Sequence, residues 1–183
     1  MPRPLIIAHR GASGAAYENS LAAFELARAQ GADGVELDIH ATSDGAFLVH
    51  HDDAVPGLGI LRDHPHAHFA THRLPNGEPI PTLGQVLETL GAMDLFIEVK
   101  QLHPRWDARL LQVMRAGPAP ERYAVHAFDH RIIARLGRGA PLLRRGALSA
   151  SYPIDPVTPL VAAGADTLWQ ESGLIDAALV EAV

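Results

Sequence analysis

The sequence contains no cysteine in its 183 residues. This absence excludes disulfide bonds, thiolate zinc sites and cysteine nucleophiles, so any metal must be bound by oxygen or imidazole. Lysine is nearly absent as well, because 14 of the 15 basic residues are arginine and only Lys100 is lysine. A compact ammonium and a planar guanidinium are not interchangeable in a crowded polar site, which makes Lys100 a candidate functional residue.

Long apolar runs and an excess of positive charge are also missing. No apolar run approaches the roughly 18 residues of a membrane span, and the N-terminus lacks the layout of a signal peptide. We therefore expect a cytoplasmic protein without stable membrane insertion. The net charge of −6 argues against broad nucleic-acid binding, whereas a small anionic substrate needs only a local cationic spot. Oligomeric state cannot be read from these features.

Strand-like and helical segments alternate along the chain, whose length predicts one domain over residues 1–183. The seven strand candidates are residues 5–9, 34–39, 46–51, 95–100, 123–128, 144–149 and 166–171. The helical candidates are residues 19–30 (capped by Asn19 or Ser20), 82–90 (capped by Thr82), 104–116, 129–136, 155–163 and 172 to the end. Repeated βα units predict an α/β fold with parallel strands, either an open doubly wound sheet or a closed barrel.

Polar residues at the ends of the strand candidates favour the barrel, where such side chains converge on one mouth. They are His9, Glu36, Asp38, His51, Glu98, Lys100, His126 and Trp169. We expect a (βα)8 TIM-type barrel that lacks its last βα unit, because a closed barrel of this type needs an eighth strand.

Residues 56–81, here called the excursion, show no clear periodicity and carry five prolines and three glycines. This composition predicts a long irregular segment above the mouth of the barrel. Its four histidines are His64, His66, His68 and His72. We interpret them as part of a solvated polar loop in preference to a transition-metal site.

Three carboxylates and one lysine are predicted to meet at the strand ends. Alternate residues of a strand share a face, so Glu36 points with Asp38, and Glu98 with Lys100. Burying one ion costs on the order of several kcal/mol. Several like charges can therefore be buried together only if a cation compensates them. A divalent metal ion, Mg²⁺ or Ca²⁺, bound by Glu36, Asp38 and Glu98 would compensate them. The alternative is a set of ion pairs with Arg10 and Lys100.

Two histidines at strand ends, His9 and His51, suit acid-base catalysis. In a barrel they would face each other across the mouth, one taking a proton from the nucleophile and the other giving one to the leaving oxygen. Asp52 can orient an imidazole, and Arg10 can bind a phosphate oxygen. These roles fit the cleavage of a phosphodiester.

The sequence also resembles a known family, the glycerophosphodiester phosphodiesterases, through motifs in a fixed order. These motifs are "AHRG" at 8–11, "ENS" at 18–20, "GADGVELDIHATSDG" at 31–45, "LVHHD" at 48–52, "PTL" at 81–83 and "IEVK" at 97–100. The resemblance implies a (βα)8 barrel, a divalent cation bound by Glu36, Asp38 and Glu98, catalytic His9 and His51, and a phosphate site lined by Arg10, Glu18 and Lys100.

The chain departs from the family pattern in three places. "HAFD" at 126–129 falls where the family usually has a Ser-Phe-Asp strand end, which makes His126 a departure. The segment after Asp52 lacks the usual Arg-Thr-Thr run, and the late Trp-Thr-Val-Asn strand is not in this sequence, consistent with the expected missing unit.

The predicted function is metal-dependent hydrolysis of a small glycerophosphodiester to sn-glycerol 3-phosphate and an alcohol. One alternative is a lysophospholipase D-like or sphingolipid-type phosphodiesterase, for which Leu58, Ile60, Leu61 and Phe69 would supply an apolar approach to the mouth. Another is a non-catalytic barrel that binds a metal or ligand.

Overall fold

The computed structural model describes residues 3–183, which form an α/β fold. Its strands are β1 (Ile7–His9), β2 (Gly34–Ala41), β3 (Phe47–Val49), β4 (Ala54–Val55), β5 (Gly59–Ile60), β6 (Asp94–Gln101), β7 (Tyr123–Ala127), β8 (Arg144–Ser149) and β9 (Thr167–Gln170). Its helices are α1 (Leu21–Ala29), α2 (Leu83–Leu90), α3 (Asp107–Ala116), α4 (His130–Gly139), α5 (Val157–Ala163) and α6 (Ala177–Ala182).

The main sheet has seven strands, six of which are parallel. Their order is β1-β2-β6-β7-β8-β9, and β3 pairs with β2 outside this path. The connection between the strands of each parallel pair contains a helix, as βα units require. These helices are α1 to α5, in chain order. The α/β class and the parallel sheet predicted from the sequence are confirmed.

Strand β3 corrects one prediction. All seven strand candidates are strands, but β3 runs antiparallel to β2, with Ile39 opposite Val49. The connection between them is only residues 42–46, with Gly45 at φ +78°, whereas a parallel crossover needs about a dozen residues. The expectation that His51 ends a third parallel strand is therefore wrong.

Four of the six helices, α1, α2, α4 and α6, begin where the sequence places a capping side chain. The Ser20 hydroxyl accepts a hydrogen bond from the Ala23 N–H, so Ser20 and not Asn19 caps α1. Thr82 and Gln85 form a reciprocal capping box at the start of α2. The last predicted helix is instead a short 3₁₀ turn at 172–174 followed by α6.

The core lies between the sheet and its helices. Strand β2 is buried at all eight positions because helices cover one face and the site occupies its carboxyl end. Phe24, Leu37, Ile97, Leu110 and Ile133 are fully or almost fully buried members of the main hydrophobic cluster. This cluster makes β2 and β6 rigid supports for the side chains at their ends.

The excursion is more ordered than its sequence suggests. Strand β5 pairs with β4, which directly precedes the excursion, as a small antiparallel hairpin, and two 3₁₀ turns follow at 61–63 and 66–69. A second hydrophobic cluster lies beneath it, formed by Leu48, Val55, Leu61, Phe69, Leu74 and Ile80. The excursion therefore packs on a core of its own, anchored to the sheet through Leu48 of β3.

Among residues 3–183, no helix combines the length and apolar character that crossing a membrane requires.

Candidate active site

The polar side chains predicted to converge do meet at the carboxyl edge of the parallel sheet. Strand register aligns His9 with Glu36, and aligns Glu98 with both Asp38 and His126. Residues paired in register on parallel strands point to the same face. The sheet thus sets buried acids beside histidines on four neighbouring strands, β1, β2, β6 and β7.

Lys100 joins two of the carboxylates. Its Nζ lies 2.9 Å from Asp38 Oδ1 and 2.8 Å from Glu98 Oε1. Burial opposes the charge on Lys100, but these two carboxylates outweigh it and raise the pKa of the ammonium. The single lysine of the sequence is therefore a partly buried counter-ion, a role in which its compact head fits between two strands.

Asp38 is surrounded by donors. Its Oδ2 lies 3.2 Å from Arg10 Nε and accepts a 2.8 Å hydrogen bond from Asn19 Nδ2. Burial acts to raise the pKa of Asp38, but the hydrogen bonds from Lys100 and Asn19 prevail and lower it. Asp38 is thus held as a carboxylate by the protein's own groups.

The negative charge of Glu36 is compensated far less than that of Asp38. The side chain is buried, and burial together with the negative charge of Asp38 raises the pKa of Glu36 to about 7. Its nearest donors are the Arg10 backbone N–H at 3.2 Å, His126 Nε2 at 3.7 Å and His9 Nε2 at 3.8 Å. Burial also raises the pKa of Glu98 despite Lys100. The site therefore carries more acid than its cations neutralise.

The donor atoms of this cluster fit a divalent cation. One ligand atom each from Glu36, Glu98 and His126 lies within 4.8 Å of the others, the only such group of three or more acidic or histidine residues in the described residues 3–183. Carboxylate oxygens are the usual ligands of hard divalent ions, and imidazole extends the set to transition metals.

The loop after β1 carries Arg10 into the site. Arg10 has φ 57°, and its Nη1 donates to both carboxylate oxygens of Glu18 at 3.0 Å. Gly11 follows with φ +82°, where a Cβ would lie 2.7 Å from the backbone carbon of Ala23. This close approach to α1 explains why glycine stands there and fixes the direction of the arginine.

The two predicted catalytic histidines are accessible. The His9 side chain is 69% exposed, and His51 is partly exposed with its Nδ1 2.9 Å from Asp52 Oδ1. The His50 N–H donates to the Asp38 carbonyl at 3.1 Å, which ties this segment to the end of β2. Solvent-facing imidazoles thus accompany the buried acids.

A cavity of about 470 Å³ adjoins Lys100. Its lining includes Asp53, Arg62, His103, Arg105 and Trp106, and Arg105 lies over the Trp106 ring at 4.9 Å. The cavity therefore combines an aromatic wall with charges of both signs, a lining suited to a small polar group.

Comparison with protein families identifies this arrangement. The model of the glycerophosphoryl diester phosphodiesterase family matches residues 9–183. The chain belongs to this family. The family resemblance predicted from the sequence motifs is confirmed.

Curated relatives agree with this assignment. A glycerophosphodiester phosphodiesterase of Caldanaerobacter subterraneus subsp. tengcongensis is 34% identical over 175 residues, covering 84% of this chain and 70% of the relative. The human glycerophosphodiester phosphodiesterase 1 is 44% identical over 109 residues, covering 51% of this chain and 33% of the human protein.

Solved structures share the fold. An Oleispira antarctica phosphodiesterase, solved in complex with the product sn-glycerol-3-phosphate, matches with a TM-score of 0.89 and 26% identity, over 97% of this chain and 79% of that one. A glycerophosphodiester phosphodiesterase from Parabacteroides distasonis matches with a TM-score of 0.83 and 24% identity, over 93% and 74% of the two chains.

The structure brings together most of the residues predicted for this family site, with one difference. Glu36, Glu98, Lys100 and Arg10 lie in one cluster, as expected. Asp38 also lies there, but its carboxylate contacts cations and Asn19, and His126 takes its place in the group of possible ligands.

Two site residues were not singled out for these roles by sequence. The sequence predicts Asn19 only as a helix cap, yet it is buried and its side-chain amide donates to Asp38. The signal for it was its place in the "ENS" motif beside Glu18. His126 was noted as a strand-end residue, but its register with Glu98 could not be read from sequence.

Proposed function

We propose that the protein hydrolyses small glycerophosphodiesters to sn-glycerol 3-phosphate and an alcohol. The observation that carries this proposal is the meeting of buried carboxylates, Lys100 and Arg10 at one sheet edge in a chain of this family. Cations next to acids, with accessible imidazoles nearby, suit a site that must bind both a metal and a phosphate.

Glu36, Asp38 and Glu98 would hold the divalent cation, for which these three carboxylates predict Mg²⁺ or Ca²⁺. The raised pKa of Glu36 supports this role, because a cation there would stabilise the carboxylate that burial disfavours. When bound, such an ion offsets negative charge on the phosphoryl group.

Arg10, Glu18 and Lys100 would form the phosphate site. Glu18 binds the Arg10 guanidinium through both its oxygens and so holds its orientation. Lys100 lies between Asp38 and Glu98, where its ammonium can also donate to a phosphoryl oxygen. The three residues then bind and orient the substrate.

His9 and His51 would act as the acid-base pair. One would take the proton of the nucleophile, a water or a neighbouring substrate hydroxyl, and the other would protonate the departing alkoxide. The Asp52 carboxylate beside His51 Nδ1 orients the ring and favours Nε2 as the working atom.

The alcohol would occupy the 470 Å³ cavity beside Lys100. Its charged lining favours a polar, water-soluble headgroup over a lipid chain. Of the four residues expected to form an apolar approach for a lysophospholipid, Leu61 and Phe69 are buried in the core of the excursion and Leu58 packs against it, which leaves only Ile60 in the cavity lining.

The parallel sheet would form the larger part of a (βα)8 barrel within the single domain predicted for residues 1–183. The solved family structures that share its fold support this proposal. We also propose a role in glycerol and lipid metabolism in the cytoplasm, acting on a soluble small molecule and not on nucleic acid.

The test is hydrolysis of glycerophosphocholine by the purified protein supplied with Mg²⁺ or Ca²⁺. We expect release of sn-glycerol 3-phosphate that stops on addition of a chelator. His9→Ala and His51→Ala should each lower turnover by about 10² to 10⁴-fold, the usual cost of losing a general acid or base.

The control is His64→Ala, an excursion histidine that should leave turnover unchanged. Turnover that survives both the chelator and the two substitutions would reject the assignment. Faster cleavage of a long-chain lyso analogue than of glycerophosphocholine would favour the lysophospholipase D-like alternative. Metal binding without any turnover would favour the non-catalytic one.

A further inference from the structure

His126 is a buried histidine that the proposed reaction does not use. It lies in β7, its exposed fraction is 1%, and Nδ1 has no hydrogen-bond partner. Its Nε2 lies 3.7 Å from Glu36 Oε1, too far for a hydrogen bond. A buried polar group without a partner costs about 1–3 kcal/mol, so such a group in a native fold calls for an explanation.

The ring is held facing the carboxylates. The indole of Trp169 in β9 stacks on it, with the ring centroids 4.4 Å apart and the planes at 14°. Phe96 of β6 meets the same indole edge-on at 5.4 Å. The imidazole therefore has a fixed plane, and the aromatic wall behind it offers no acceptor for its nitrogens.

Gly146 of β8 makes room for this stack. A Cβ at that position would lie 2.5 Å from Trp169 Cδ1 and 3.2 Å from the His126 Cβ. Because the first distance is shorter than any real contact, only glycine allows the indole to reach across β8. Residues of β6, β8 and β9 thus combine to place the His126 imidazole of β7 beside Glu36 and Glu98.

We propose that His126 is a ligand of the cation together with Glu36 and Glu98, and that it biases the site toward a transition metal such as Mn²⁺ or Co²⁺. This inference rests on the proposed function in so far as that function places a cation here. Mg²⁺ and Ca²⁺ take oxygen ligands, whereas imidazole suits first-row transition metals. The metal preference therefore differs from that of the carboxylates alone.

The test compares metal binding by chelator-treated wild-type protein and His126→Phe, a substitution that keeps a ring against Trp169 but removes both nitrogens. We expect Co²⁺ affinity to fall by about 10 to 100-fold, while Mg²⁺ affinity changes by less than about 3-fold. His72→Phe, the same change in the excursion, should alter neither affinity.

A second measurement detects the ligand directly. Pulsed electron paramagnetic resonance of the Mn²⁺-loaded wild type should show coupling to a ¹⁴N nucleus, and the coupling should disappear in His126→Phe and in His126→Gln. If either variant fails to fold, the wild-type spectrum alone decides, since absence of nitrogen coupling there overturns the proposal. Unchanged Co²⁺ affinity in a folded His126→Phe variant overturns it as well.

Failure of this inference is distinguishable from failure of the proposed function. Nitrogen coupling in a protein that does not hydrolyse glycerophosphocholine supports His126 as a ligand and rejects the reaction. Chelator-sensitive hydrolysis without nitrogen coupling rejects His126 as a ligand and leaves the reaction in place.

Discussion

The carboxyl edge of the parallel sheet and the excursion at 56–81 both concentrate histidines, and they hold them in different ways. At the sheet edge, His126 is buried beside Glu36 and Glu98 because the registers of β2, β6 and β7 align. In the excursion, His64 and His68 stack on each other with their ring centroids 4.1 Å apart, and His68 Nε2 lies 2.9 Å from the Leu58 carbonyl.

The difference shows that a site depends on strand register more than on the number of ligand-type residues. The four excursion histidines include no group of three donors close enough for a metal within residues 3–183. His66 and His68 lie on the short 3₁₀ turn at 66–69, and His64 and His72 lie on either side of it, so their side chains are spread around a small apolar cluster. Rigid neighbouring strands, by contrast, present their alternate residues to one point.

The largest effect should come from removing the core of the excursion. Phe69→Ala deletes a buried ring, and such deletions cost about 3–5 kcal/mol of unfolding free energy. We expect about 3 kcal/mol in chemical denaturation, because Leu48 couples this cluster to the sheet. The matched control is Phe24→Ala in the main cluster. If Phe69→Ala leaves global stability unchanged, the excursion unfolds as a separate unit.

Removing a carboxylate at the sheet edge should act on the metal. Glu98→Gln should weaken divalent-cation binding by at least about 100-fold, since losing even an outer partner of a metal ligand costs 10–100-fold. Calorimetric titration measures this change. The triple variant His64→Ala, His66→Ala, His68→Ala is the control from the excursion. Equal losses in both proteins would mean that the two regions bind metal alike.

A smaller effect is expected from the partner of a catalytic histidine. Asp52→Asn removes the carboxylate 2.9 Å from His51 Nδ1 and should lower turnover by about 10-fold, the low end of the range for such partners, because Asp52 is exposed to solvent. Steady-state rates at saturating substrate check this. A loss as large as that of His51→Ala would give Asp52 a direct part in catalysis.

The smallest effect should come from the stacked pair of the excursion. His64→Ala and His68→Ala remove partly or fully exposed rings, and surface substitutions of this kind usually change stability by less than about 0.5 kcal/mol. Thermal unfolding measures the change. A loss of more than 1 kcal/mol, roughly twice that limit, would show that the stack supports the excursion.

The elements that follow simple periodicity were predictable. The alternating apolar residues of β2 and the amphipathic pattern and caps of α1 and α2 place them within two residues of their observed bounds. The carboxylates of β2 and β6 were predictable as one cluster because side chains alternate along a strand and parallel strands share their carboxyl edge.

What depends on contacts between strands was not predictable in the same way. The direction of β3 was missed, although the five-residue connection at 42–46 contained the signal, since it is too short for a parallel crossover. The buried cluster of the excursion has no sequence period. The position of His126 against Glu98 follows from the register of β6 and β7, which a single sequence does not encode in any local pattern.

The ion pairs of Lys100 with Asp38 and Glu98 affect the stability of the protein when no metal is bound. In small metal-dependent domains the ion supplies the folding energy, and the empty protein collapses into disorder. In this protein the Lys100 ammonium on β6 balances part of the negative charge of the carboxylates whether or not a cation is bound. We expect the metal-free protein to stay folded, so that the cation can bind and dissociate reversibly.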